Sequence, residues 1–242
     1  MQHYIETEQE SETDQPAKSI LKEIACLPFP EDVKKRADLV SQSMDIGPKR
    51  KKKRMQLLFF CLYQAHNELK IPVYPAFIAS QYFGLTKGEM NKSLSMFAEN
   101  KTGYVVCYPD WQPFQLIHSV CSMIDPNSRF FHEPNVDFLK SLAVSVVLKS
   151  KVLAQENPNL KNDMLLNELN PWLVAFAVVY FSIERQNATC ILPSKLSFTQ
   201  EQSDVVRQTL ISRLIEVATW LSESKIKSLA KNIEKIDCVS LR

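Results

Sequence analysis

The sequence predicts an all-α fold of two helical units in tandem, preceded by an acidic tail. Three observations predict it. Two apolar runs, residues 57–63 and 172–181, are too short to cross a bilayer, which needs about 20 residues, and read instead as helices buried on every side. The surroundings of these runs repeat. RMQLLFFCLYQAHNEL at 54–69 is followed by Pro72-Val73-Tyr74-Pro75 and then LTKGEMNKSLSMF; PWLVAFAVVYFSIER at 171–185 is followed by Cys190 to Pro193 and then FTQEQSDVVRQTL. Tyr63 matches Tyr180, and Leu85-Thr86-Lys87 matches Phe198-Thr199-Gln200, so one helical unit recurs once. Finally, Gly is rare, at 4 of 242 residues, and apolar–polar alternation is confined to short stretches such as 104–108, which leaves little from which to build hairpins or a sheet.

Taken in order, residues 1–18 are polar, acidic and aperiodic, and are expected to be disordered. Residues 20–27 form a short helix stopped by Pro28 and Pro30. Residues 31–44 form an amphipathic helix with Val33, Ala37, Val40 and Met44 on one face, ended by Gly47-Pro48. Six cations, Lys49, Arg50, Lys51, Lys52, Lys53 and Arg54, lead into the first buried helix. Pro72 and Pro75 bracket a turn; residues 76–83 make a short helix with Gly84 as its C-cap. Thr86 is the N-cap of the next helix, with Glu89 three residues on as the partner in a capping box. Short helix, Gly turn and capped helix is the grammar of a helix-turn-helix, although on spacing alone the generic turn fits an ordinary αα-hairpin better.

Residues 101–112 are irregular and aromatic, and 114–124 are helical. Asp125-Pro126-Asn127 marks the junction of the two units. Residues 136–155 form a long amphipathic helix stopped by Asn157-Pro158-Asn159, and 164–170 connect to the second buried helix. A long helix over 199–220 presents Val205, Leu210, Leu214, Val217 and Leu221 on one face. Ile226, Leu229, Ile233 and Ile236, with interspersed lysines, make a basic amphipathic C-terminal helix, read as the closing helix of the second unit. The expected organisation is a tail over 1–18, one unit over 19–125 and another over 126–242.

Composition narrows function. The net charge of +2 hides an asymmetry: residues 1–17 carry −5 and no Lys or Arg, so the remainder carries +7. The six cysteines are scattered without a C-x-x-C pair; His118 and Cys121 could share a helix face, but core packing is the better reading, and neither a bound metal nor a cofactor is expected. The acidic start is unlike a signal peptide, so an intracellular protein with reduced thiols is expected. No phosphate loop, zinc-protease motif or acid–base constellation is present, so binding rather than catalysis is expected. The cation cluster attracts phosphate and releases counterions. It can contact DNA backbone or an acidic protein surface, serve as a nuclear-import patch, or be a solvated helix start.

A basic cluster, a buried helix with C-L-Y-x-A, a Pro-bounded turn, a short helix, Gly and a capped helix together resemble a repeat of the cyclin fold, in particular those of transcription initiation factor IIB. RMQLLFFCLYQAHNELKIP at 54–72 and LTKGEMNKSLSMF at 85–97 carry the first repeat. QPFQLIHSVCSMI at 112–124 is similar to the family's P-x-x-L-I-x-R-F-C-S-x-L, taken as a closing helix. NPWLVAFAVVYFSIE at 170–184 is similar to S-P-x-x-I-A-A-A-A-I-Y-x-A-S. The resemblance covers roughly 30–222. It implies two cyclin-like five-helix repeats and a non-catalytic factor that binds double-stranded promoter DNA and bridges a TATA-binding protein, or an analogue, to RNA polymerase, with no membrane role. The DNA-contacting residues it suggests are the cluster 49–54 with Lys87, Asn91 and Lys92 in the first unit and Gln200 and Arg207 in the second.

Two departures stand out. The family's N-terminal zinc ribbon is missing, and Pro193 falls where the second helix-turn-helix needs its short helix. Few glycines and divergence from cellular consensus fit a large DNA virus, placing the protein in a nucleus or a viral transcription compartment. The alternative role for the same fold is a cyclin-like activating subunit of a protein kinase, which would require an exposed groove and a Lys/Glu pair for the kinase helix.

Overall fold

The structure, a computed structural model, describes residues 19–47, 49–97, 102–156, 164–185 and 200–238. The expected acidic disordered tail, the Asn157-Pro158-Asn159 stop, Cys190 and the second helix-turn-helix with its Pro193 lie outside them. The described residues form ten helices and no strand, so the alternation at 104–108 yields no strand.

Five helices precede residue 100: α1 (Leu21–Ile24), α2 (Glu31–Ser43), α3 (Lys51–Glu68), α4 (Pro75–Phe83) and α5 (Lys87–Met96). Five follow: α6 (Pro113–Ile124), α7 (Glu133–Glu156), α8 (Pro171–Arg185), α9 (Gln200–Val217) and α10 (Glu223–Asp237). Each set surrounds one buried helix, as the apolar runs predict. Leu57 to Leu62 of α3 are buried without interruption, and α2, α4 and α5 pack around them. Val174 to Ile183 of α8 are buried likewise, wrapped by α6, α7, α9 and α10. Within these runs neither helix has a polar face, because neither has a solvent side there.

Aromatic rings fill the first core. Phe60 lies 5.3 Å from Phe97 and 6.0 Å from Tyr104, and Phe59 stacks on Tyr63 at 5.9 Å. Truncating such a fully buried ring typically costs about 3–5 kcal/mol. In the second core the stripe of α10, Ile226, Leu229, Ala230, Ile233 and Ile236, is buried against α8 and α7, leaving its lysines outside.

One element is placed differently from the expectation. α6 does not close the first core: Leu116, Ile117, Val120, Cys121 and Ile124 are buried against α8, α7 and α9. Its amphipathic pattern announces a buried face but not which core receives it. In its packing α6 therefore sides with α7, α8 and α9, and Asp125 at its end faces the same core. Its buried carboxylate accepts from the backbone N–H groups of Phe130 (2.6 Å) and Phe131 (3.3 Å) and so shapes the α6–α7 turn inside the second core.

Tyr74, between α3 and α4, joins the cores. Its ring lies 5.1 Å from Trp172 and 5.3 Å from Phe176, and its hydroxyl donates to the carbonyl of Thr219 at 2.7 Å. Ser119 of α6 reaches back to the carbonyl of Pro72 at 2.8 Å, and Trp220 packs against both cores.

Candidate nucleic-acid interface

The first unit gathers a run of exposed cations where α3 begins, while others, such as Lys35 on α2 and Lys70 just past the end of α3, lie elsewhere on it. α3 begins inside the basic run, with Arg50 as an extended N-cap residue whose side chain makes no capping bond, and with Lys51 in the left-handed region at φ 49°. Both features oppose helix formation. A non-Gly residue at positive φ costs of order 1 kcal/mol or more. Cations at a helix N-terminus face the positive end of the macrodipole, an unfavourable placement of about 0.3–1 kcal/mol each. A local arrangement that works against the fold marks a functional candidate, and an anion at this end would relieve the charge term.

The six cations divide into two groups. Arg54 binds both carboxylate oxygens of Glu23 on α1, its Nε 3.0 Å from each. Lys52 reaches Glu89 Oε2 at 3.3 Å and the carbonyl of Gly84 at 3.3 Å. Lys49, Arg50, Lys51 and Lys53 have no carboxylate within ion-pair distance among the described residues; the last three are exposed and Lys49 is half-buried.

Lys52 also shows how α3 meets the helix-turn-helix. α4 ends on Gly84 at φ 56°, a left-handed C-cap that a side chain would strain, and three residues later α5 begins. Thr86 and Glu89 form the expected capping box: the Thr86 hydroxyl accepts from Glu89 N–H (3.3 Å), and the Glu89 carboxylate accepts from Thr86 N–H (2.8 Å). That backbone donor, helped by Lys52, holds the Glu89 carboxyl below the usual carboxylate range. Beneath it, Gln56 donates to the carbonyl of Glu89 (3.0 Å) and Ser93 donates to the carbonyl of Gln56 (2.7 Å). The start of α3 is thus fixed against the first half of α5.

On α5, Lys87, Gly88, Asn91, Lys92 and Ser95 are exposed while Met90 and Ser93 are buried, so the outward stripe carries two cations and an amide. Its only carboxylate, Glu89, is already held by Thr86 and Lys52. Lys87, Asn91 and Lys92 therefore belong to the same end of the molecule as the cluster on α3. The two candidates from the second unit are on α9. Arg207 sits half-buried on α9 with Asp204 at 2.9 Å, and Gln200 opens α9 with a side chain outside the described residues. Glu23, which takes Arg54 out of the free set, was not legible beforehand: the pair spans 31 positions and no local pattern links them.

Elsewhere, a cleft of about 440 Å³ between the units is lined by Tyr63, Trp111, Trp172 and four prolines, with Asp110 as its one carboxylate. It offers ring faces and amides rather than a pair of proton-transfer groups. Among the described residues no group of three or more His, Cys, Asp or Glu is placed to hold a metal ion, and no helix is long and apolar enough to cross a membrane. Comparison with protein-family models, curated proteins and solved structures finds no match to this chain.

Proposed function

We propose that this protein is a non-catalytic transcription initiation factor of the IIB type, which grips promoter DNA and bridges a TATA-binding partner to RNA polymerase. The observation that carries the reading is the shared end of α3 and α5. Four cations at a helix N-terminus, without a carboxylate partner among the described residues, lie in one assembly with the exposed Lys87, Asn91 and Lys92 of a helix-turn-helix, coupled through Lys52 and Glu89. Phosphate contacts from the cations would set register, and the α5 stripe would meet the groove. The sequence resemblance supports the reading, as do the two helical cores, each built around one buried helix. With Arg207 ion-paired and half-buried, the grip is assigned to the first unit. The test is affinity purification of the full chain from its native source. A TATA-binding protein or polymerase subunits are the expected companions; a protein kinase in their place would overturn the proposal in favour of the cyclin-like role.

A further inference from the structure

We propose that an acidic segment of this chain, residues 6–14, docks on the cationic face made by the start of α3 and by α5. Three observations meet at that face. It presents Lys49, Arg50, Lys51, Lys53, Lys87 and Lys92 without a carboxylate partner among the described residues. The segment carries five carboxylates at every second position, Glu6, Glu8, Glu10, Glu12 and Asp14, with uncharged polar residues between. Side chains two apart share one face of an extended chain, so such a chain would present all five along a single edge, about 6.6–6.8 Å apart. A helix would scatter them in steps of roughly 200° around its circumference. The spacing suits a linear polyanion, not an amphipathic helix.

The third observation is position. The backbone N–H of buried Ile20 donates to Asp38 Oδ1 at 2.7 Å, and Glu23, on the next turn, holds Arg54 of the cluster. The chain therefore meets the fold beside the basic run. Asp14 precedes Ile20 by six residues, roughly 20 Å at full extension, so the segment reaches the face from its own tether. Six cations against five carboxylates nearly balance. Single exposed ion pairs contribute little, so the contact is collective and weakens as the screening length falls from about 10 Å at 0.1 M salt to about 3 Å at 1 M. A short tether supplies an effective concentration of order mM. The docking stands on charge and position; only its consequence rests on the nucleic-acid reading, namely that phosphates must displace the segment, lowering duplex affinity by about tenfold.

The test is zero-length carbodiimide crosslinking of the full chain without nucleic acid, mapped by mass spectrometry. Links from residues 6–14 to Lys51, Lys53, Lys87 or Lys92, lost at high salt, are the expected result. Absence of those links, equal linkage to the exposed Lys225, Lys231 and Lys235 of α10, or links only between two copies would overturn the proposal. A variant with Glu6, Glu8, Glu10 and Glu12→Gln and Asp14→Asn then separates the two readings. Tighter duplex binding by this variant supports competition. Links at the predicted lysines with no duplex binding by either protein uphold the docking and count against the nucleic-acid role. Cluster-dependent duplex binding without those links does the reverse.

Discussion

Replacing Lys49, Arg50, Lys51 and Lys53 by Ser should flatten the salt dependence of duplex binding by an amount fixed by the charge pairing at the start of α3. Of six adjacent cations, Arg54 is held by Glu23 and Lys52 by Glu89, which leaves four for phosphate. Each phosphate contact contributes about 0.9 to the slope of log affinity against log salt, so the variant should lose up to about 3.6. Between about 50 and 200 mM salt, the wild type should then weaken roughly 150-fold more than the variant. Fluorescence anisotropy on one labelled duplex across that range measures both slopes. Helical content should hold, because the four side chains make no ion pair among the described residues and ion pairs at the surface contribute little to stability. Arg54→Ser should behave oppositely, leaving the slope nearly unchanged while loosening α1 from α3. Equal slopes for wild type and the four-Ser variant would refute the phosphate assignment. A full loss from Arg54→Ser alone would refute the division into paired and free cations.

Three further outcomes are expected. His66 is buried and edge-on to Phe29 at 5.4 Å, and burial lowers its pKa from 6.5 to about 4. The unfolded chain therefore takes up the proton first, and stability present above about pH 6.5 is lost as pH falls towards 4, by about 2 kcal/mol at pH 5; urea midpoints should show the loss in the wild type and not in His66→Phe. Thr86→Ala removes the hydroxyl that accepts from Glu89 N–H and should cost about 1 kcal/mol, visible as a lower Tm by circular dichroism. Tyr74→Phe leaves the Thr219 carbonyl without its 2.7 Å donor and should cost about 1–3 kcal/mol; a loss below about 0.3 kcal/mol by calorimetry would mean that water replaces the hydroxyl.

Local chemistry was the legible part of this fold. Thr86 and Glu89 announce a capping box through their spacing, Gly84 announces a left-handed cap, and the apolar runs in α3 and α8 announce helices with no solvent side. What local pattern does not encode is the partner. The stripe of α6 fits either core equally well by period, and only packing assigns it to α8. The site shows the same limit. The run 49–54 reads as six equivalent cations, whereas the fold removes two through carboxylates 31 and 37 positions away, in Glu23 and Glu89. Arg207 looks as available as Lys87 on paper, and its own Asp204 occupies it. Charge is visible in a sequence; free charge is a property of the assembled molecule.

The placement of the three tryptophans turns the boundary between the cores into a built-in optical reporter. Trp111 and Trp172 line the cleft between the units, and Trp220 packs against both cores. Under excitation selective for tryptophan, the emission of the unlabelled protein therefore comes from the seam, while far-ultraviolet dichroism reads helices throughout both halves. If the halves part before either melts, the two signals will trace separate transitions in denaturant; if they coincide, the seam and the cores are one cooperative unit. The same emission, followed during titration with a duplex, would register any change in the angle between the halves without a dye or a substitution.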